Sequence, residues 1–287
     1  MFKKTTIVGV GLIGGSLGMA MMSGGLAGQI TGLTRHKHTL SLAKRSKAVT
    51  KGTLDFKKAV KDADLVIIAA PISKIVKVAR DIMPFLKQGS IVTDVGSLKG
   101  EIVKQIDSIP RIRKKEVYFV GSHPMAGSEK SGVCSARKDL FKGSFCFLTR
   151  TRFTDQKALN KIRKLWEKLG AEVKVVSPVR HDSIVTYISH LPHILAYHLS
   201  MLVPFKYYKY SGGSFLDMTR IASSNPRLWR DICVMNSREI GKALGVYQTS
   251  IGRVKNIVSA GRHQKLLSLF KKAKNRRDSY NREWLSL

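Results

Sequence analysis

Over its first 150 residues the chain alternates short apolar runs with amphipathic stretches. The apolar runs are TTIVGV (5–10), ITGLT (30–34), LVIIAAP (65–71), SIVTDVGS (90–97), VYFVGSHP (117–124) and FCFLT (145–149). LVIIAAP has no polar interruption and ends in proline, the pattern of a strand buried on both faces of a parallel sheet. The segments between the runs, notably SLGMAMM after Gly14, 72–87 and 98–108, space their apolar residues as helices do. Strand and helix in repeated alternation predict a doubly wound α/β sheet. Beyond residue 150 the texture changes. A helical stretch, ALNKIRKLWEKLG, precedes one further strand, EVKVV (172–176). From Pro178 onward helical periodicity dominates over 178–203, 225–245 and 250–280, with one strong break at YSGGS (210–214). The expected organisation is therefore a sheet domain over 1–177, in which 150–177 is a transition able to extend the sheet, and an all-α domain over 178–287.

The first strand runs into Gly9-Val10-Gly11-Leu12-Ile13-Gly14, a GxGxxG that opens a helix inside a βαβ unit. That context makes the motif a dinucleotide-binding fingerprint and the sheet a Rossmann-type one. The glycines permit a tight turn and bring a pyrophosphate to the helix N-terminus, where free N–H groups favour an anion. Leu12 and Ile13 lie in the turn itself. Pro71, at the end of its own strand run, is expected to flank the same ligand. The second strand ends in Gly32-Leu33-Thr34-Arg35-His36-Lys37, with no acid in the place that holds the ribose hydroxyls of NAD. Arg35 suits a 2′-phosphate, and Thr34 is expected to donate to it. NADP is the preferred reading and NAD the alternative.

In such sheets ligands lie at the carboxyl ends of the strands. Ser97 follows IVTDVG there, and His123 follows VYFVGS in the small-residue stretch GSHPMAGSEKSG (121–132), where a titratable base stands in backbone that can admit a ligand closely. In the helical half, Ser189-His190-Leu191-Pro192-His193 puts two imidazoles on one face, with no third ligand at sensible spacing, so no metal is expected. GGSFLDMTRIASSNPRLW (212–229) opens at a glycine break and carries Arg220, which could clamp a carboxylate or be one surface cation among many.

Charge and cysteine content refine this picture. Lys and Arg number 51 against 19 Asp and Glu, a net charge of +32, yet the cations are spread through the chain and the runs RIRKK and KKAKNRR carry no interleaved aromatics. A nucleic-acid site should be a patch or stripe, so no specific nucleic acid is expected. Three widely spaced cysteines without a CxxC point to a reducing, cytoplasmic setting. The basic, apolar N-terminus resembles a signal peptide only superficially, because the glycine fingerprint occupies it. No membrane partner is expected.

GSHPMAGSEKSG, SHLPH and DMTRIASSNPRLW, in that order behind an N-terminal GxGxxG, resemble the prephenate/arogenate dehydrogenase family of tyrosine biosynthesis from residue 5 to about 245. The resemblance implies oxidation of a cyclohexadienol ring hydroxyl by hydride transfer to NAD(P)⁺ with loss of the ring carboxylate as CO₂. It implies that His123 is the catalytic histidine, supported by Ser97. Arg220 would bind substrate carboxylate, and His193, Ser128, Glu129 and Gly213 would line the pocket. Trp229 would reach that pocket from the partner subunit of a homodimer formed through the helical domain. Leu216, where members commonly carry arginine after the phenylalanine, is a departure. Two other readings compete: a β-hydroxyacid dehydrogenase, for which no lysine base stands out, and a basic nucleic-acid-binding protein with a degenerate Rossmann domain, which gives no reason for Ser97, His123 and Arg220.

Overall fold

The computed structural model describes residues 1–127 and 132–284. Six parallel strands form the main sheet: β1 (Phe2–Val8), β2 (Ala27–Leu33), β3 (Lys51–Thr53), β4 (Leu65–Ile68), β5 (Ile91–Asp94) and β6 (Tyr118–Val120). Their order is β3-β2-β1-β4-β5-β6, the doubly wound order that splits between β1 and β4. Every residue of β4 and β5 is buried. Successive residues feed opposite faces, as the pleat demands: Leu65 and Ile67 join one apolar cluster, Val66 and Ile68 the other. Helix α1 (Leu12–Ser23) covers the first face; α2 (Lys37–Arg45) and α3 (Phe56–Val60) flank β3. On the second face lie α4 (Ile75–Ile82) and α5 (Gly100–Asp107), followed by the single turn α6 (Pro110–Arg113).

The run VYFVGSHP is two strands rather than one. After β6 the chain leaves the main sheet at Gly121, and Ser122–Pro124 form β7 of a second, three-stranded sheet. There β7 pairs antiparallel with β8 (Phe145–Thr149), which pairs parallel with β9 (Glu172–Val176). The switch needs glycine, since a Cβ at residue 121 would stand 2.5 Å from Thr149 Oγ1. The Thr149 N–H donates to the Gly121 carbonyl at 2.9 Å and fastens the corner. The transition segment 150–177 therefore does not extend the main sheet. It supplies α7 (Gln156–Lys168), capped by Asp155, and the outer strand of the second sheet.

The expected helix over 178–203 is continuous but not uniform. It comprises α8 (Pro178–Val185), a π turn (Thr186–His190) and α9 (Leu191–Leu202). Pro192 explains the wide turn: proline lacks an N–H and crowds the carbonyl four residues back, and a π turn relieves both. Then come 3₁₀ turns at Phe205–Tyr210 and Arg220–Ser223 around α10 (Gly213–Thr219), followed by α11 (Pro226–Met235). By packing, the chain divides at Ser237/Arg238. Helices up to α11 belong with the sheet because Trp229 and Ile232 join its second core. The other unit is an antiparallel pair, α12 (Ser237–Ser259) and α13 (His263–Trp284), turning at Gly261. No helix of the described residues is long and apolar enough to cross a membrane.

Beneath the end of β5 sits a fully buried ion pair, Lys99 with Asp94. The Asp94 carboxylate also accepts from the Gly96 N–H (2.9 Å) and the Ser122 N–H (3.3 Å), so it joins the main sheet to the start of β7. Lys99→Met would leave that carboxylate buried without its counter-charge, and denaturant unfolding at pH 7 should show a loss of about 3–5 kcal/mol.

Candidate active site

The glycine loop is shaped for a ligand by two kinds of constraint. Gly9 has φ +93°, and a Cβ there would meet the Ala69 carbonyl oxygen at 2.4 Å. A Cβ on Gly14 would stand 2.1 Å from the Gly9 oxygen, so both glycines are required by the protein's own packing. Gly11 differs, since a Cβ there would meet nothing within 4 Å. The space it leaves belongs to a cavity of about 560 Å³ lined by Gly9, Gly11, Thr34, Arg35, Pro71 and Lys74, among others. Helix α1 starts at that cavity with no side-chain cap and no acid in its first turn, so its N–H groups and dipole are open to an anion. Leu12 and Ile13 lie in this first turn and pack toward the first core. These features fit the pyrophosphate of a dinucleotide. The Thr34 hydroxyl donates to the His36 carbonyl at 3.0 Å. The carboxylate that lines the cavity, Asp81, is held by Lys77 at 2.8 Å.

His123 lies on β7, paired across to Phe147, just past the carboxyl end of β6. Its Nδ1 is 2.8 Å from Nε2 of His181, which is the partner of that nitrogen. His181 is fully buried, and its Nδ1 lies 2.7 Å from Oδ1 of Asp182. Asp182 in turn accepts the backbone N–H of Lys99 at 2.8 Å and of Gly100 at 2.7 Å, capping α5 from 82 residues away. Burial, the neighbouring His181 and Lys99, and more weakly His190, hold His123 well below the ordinary histidine range. Burial lowers His181 as well, against the pull of Asp182.

Neutral rings make the proton positions deducible. A carboxylate only accepts, so His181 carries its proton on Nδ1 and presents a bare Nε2. His123 must then donate from Nδ1, which leaves its own Nε2 as an open base. The same reasoning orients His190. Thr186 gives its hydroxyl proton to the Asp182 carbonyl at 2.7 Å and so accepts from Asn236 Nδ2 at 2.8 Å. That amide also donates to His190 Nδ1 at 3.1 Å, which puts the His190 proton on Nε2. Burial presses His190 down to about 4.

His193 donates from Nδ1 to the Ser189 carbonyl at 2.9 Å and stacks on Trp229, ring centroids 3.7 Å apart. His190 meets the same indole edge-on at 6.0 Å, so the two imidazoles of SHLPH do share a face, and Trp229 fills it. Trp229 is buried and packs against both imidazoles of its own chain. Its place one turn into α11, set by the Asn225 cap, turns it inward. Arg220 is exposed on its 3₁₀ turn, yet close enough to lower His193 alongside the effect of burial. His123, His181, His190, His193 and Arg220 thus form a succession of neighbours in which a charge on one disfavours a charge on the next. Ser97 is half-buried between β5 and α5, and Gly213 is exposed at the first turn of α10. Ser128 and Glu129 lie outside the described residues. Among the described residues no group of three His, Cys, Asp or Glu could hold a metal ion.

Sequence reasoning passed over His181, Asp182, Lys99, Asp94 and Asn236. The available signal was His-Asp placed in the first turns of a helix started by Ser177 and Pro178, a position from which both side chains can reach a neighbouring element.

Two expectations follow. Gly11→Ala should change stability by no more than about 1 kcal/mol yet weaken dinucleotide binding at least tenfold by fluorescence titration, whereas Gly14→Ala should destabilise the free protein. Because folded His190 titrates at about 4 against an ordinary 6.5, the unfolded chain binds more protons between those values. Stability contributed by neutral His190 is complete above pH 6.5 and lost as pH falls toward 4, by about 3 kcal/mol. Denaturant unfolding at pH 7 and pH 4.5 should show a smaller difference for His190→Gln than for the unaltered chain.

Comparison with known proteins places this geometry. Residues 17–175 match the family model "Prephenate dehydrogenase, nucleotide-binding domain", and residues 177–272 match "Prephenate dehydrogenase, dimerization domain". The chain is 33% identical to a prephenate dehydrogenase of Bacillus subtilis, over 96% of this chain and 76% of that protein. It is 31% identical to a cyclohexadienyl dehydrogenase of Zymomonas mobilis, over 96% of each. A crystal structure of prephenate dehydrogenase from A. aeolicus, in complex with hydroxyphenyl propionate and NAD⁺, superposes with a TM-score of 0.90 at 32% identity, covering 97% of this chain and 98% of that one. With both family models together spanning most of its length, the chain belongs to the prephenate dehydrogenase family.

Proposed function

We propose that this chain oxidises prephenate, arogenate or both, with hydride transfer to NAD(P)⁺ and loss of the ring carboxylate as CO₂, giving 4-hydroxyphenylpyruvate or tyrosine. The observation that carries the reading is the bare Nε2 of a neutral His123 at the strand ends, in a chain of this family with a dinucleotide cradle beside β1 and β4. The nicotinamide, when bound, accepts the hydride. Hydride departure from a carbinol carbon builds positive charge unless the hydroxyl proton leaves too, and His123 Nε2 takes that proton. Arg220 offers a planar pair of donors to a substrate carboxylate. The stacked His193 and Trp229 form an apolar wall against the ring. Ser97, Ser128, Glu129 and Gly213 complete the proposed pocket.

For the cofactor the reading is NADP. Its support is the missing acid after β2, together with Arg35 and Lys74 on the walls of the cavity while Asp81 is tied to Lys77. For the assembly the reading is a homodimer through the helical region. It is supported by the dimerization-domain match and by apolar side chains left in solvent, Met201 and Phe205 at 85% exposure and Tyr210 at 74%. The free cysteines suit a cytoplasmic enzyme.

Initial rates with prephenate or arogenate, each with NAD⁺ or NADP⁺, test substrate and cofactor together; a faster reaction with NAD⁺ would overturn the reading of Arg35. His123→Asn should lower kcat by on the order of 10²–10⁴ with modest change in KM. Arg220→Gln should act mainly on KM. Because the base must be unprotonated and its pKa is depressed, kcat/KM should hold as pH falls through 6.5 and decline only at more acid pH.

A further inference from the structure

We propose that Asp182 and His181 are positioning residues that aim the lone pair of His123 at the substrate and receive the positive charge created there. This deepens the reading of His123 as the base and rests on it. The geometry is an unbroken succession of hydrogen bonds: His181 Nδ1 to Asp182 Oδ1 at 2.7 Å, then His123 Nδ1 to His181 Nε2 at 2.8 Å. Asp182 cannot turn away, because the Lys99 and Gly100 amides hold its two oxygens and a Cβ on residue 100 would stand 2.7 Å from Oδ2. A fixed carboxylate fixes the His181 tautomer, and a fixed His181 fixes that of His123. Without this frame a neutral imidazole would be free to put its proton on Nε2, where it could no longer act as a base.

The charges around the two rings favour moving the proton onward. His123 faces His181 from α8, Lys99 from the amino end of α5, His190 from the π turn, and Cys146 of β8, whose thiol burial keeps neutral; Asp94, at the end of β5, acts on His181 and Cys146. Of these, Lys99 opposes a cation on His123. Burial and Lys99 oppose a cation on His181 as well, but there the Asp182 hydrogen bond and the charges of Asp182 and Asp94 work against them, and among the described residues no carboxylate does so at His123. In the step, the substrate O–H bond breaks as a bond forms to His123 Nε2. The His123 Nδ1–H bond breaks as one forms to His181 Nε2. His123 ends neutral, protonated on Nε2, and the imidazolium lies on His181 against Asp182. The hydride leaves separately to the dinucleotide, so the relay itself involves no oxidation.

The His181 variants carry the test, since Asp182→Asn would also strip the cap from α5. His181→Gln can accept from His123 and donate to Asp182 but cannot carry a proton. His181→Leu can do neither. Long-range ¹H–¹⁵N spectra of the full chain at pH 7 should show His123 protonated on Nδ1 in the unaltered protein and in His181→Gln, and shifted toward the Nε2–H form in His181→Leu. Rates should fall on the order of 10²-fold in His181→Leu and about tenfold in His181→Gln, with NADP⁺ binding unchanged as the check on folding. An unaltered protein with the His123 proton on Nε2, or a His181→Leu enzyme with the parent's kcat and pH profile, would overturn the proposal. Full activity in His123→Asn would sink the base reading alone, and the tautomer spectra would still decide whether the dyad sets the ring.

Discussion

The carboxylate of Asp182 at the amino end of α5 is the contact on which the site depends. It joins three pieces of chain that are far apart in sequence: the loop after β5, the first turns of α8 and, through His181, the strand that carries His123. A helix N-terminus attracts an anion, and a buried carboxylate needs donors, so each satisfies the other. The same loop places Lys99 on Asp94, and Asp94 on the amide of Ser122 at the start of β7. Two carboxylates thus clamp one lysine-bearing turn, and the orientation of the His123 ring follows from both.

Much of the fold was legible because it rests on periodicity. The buried strands β4 and β5 read as unbroken apolar runs, and the GxGxxG between β1 and α1 announced itself by context. What stayed hidden depends on partners distant in sequence. Nothing local marks Gly121 as the corner where one run becomes strands of two sheets; only the proximity of Thr149 makes it so. The three-residue β3 is too short to show a period. The packing division at 237/238 rests on the inward contacts of Trp229 and Ile232, which helical periodicity does not register, since α8 through α11 are as helical as the hairpin that follows.

The candidate site divides the same way. His123, His193 and Arg220 stood out because polar groups in small-residue or helical surroundings invite a functional reading. His181 and Asp182 did not, since an interior His-Asp pair looks like any solvated helix start until the amides of Lys99 and Gly100 are seen across from it. The bond from the Thr34 hydroxyl to the carbonyl two residues on was not legible either, because it depends on how the chain turns after β2.

The π turn at Thr186–His190 has a further consequence. An α-helix advances about 100° per residue, so the extra residue held in this turn sets the rotational phase of everything after it. With the turn in place, His190 and His193 both meet Trp229 while Thr186 reaches back to the Asp182 carbonyl. Deleting one residue there would restore a regular helix and leave Pro192 crowding an α-helical carbonyl. It would also rotate the imidazoles away from the indole while leaving Asp182 and His181 where they are. The two halves of the candidate site are therefore geared to one another through a single irregular turn, whose length sets their relative rotation as firmly as any side chain it carries.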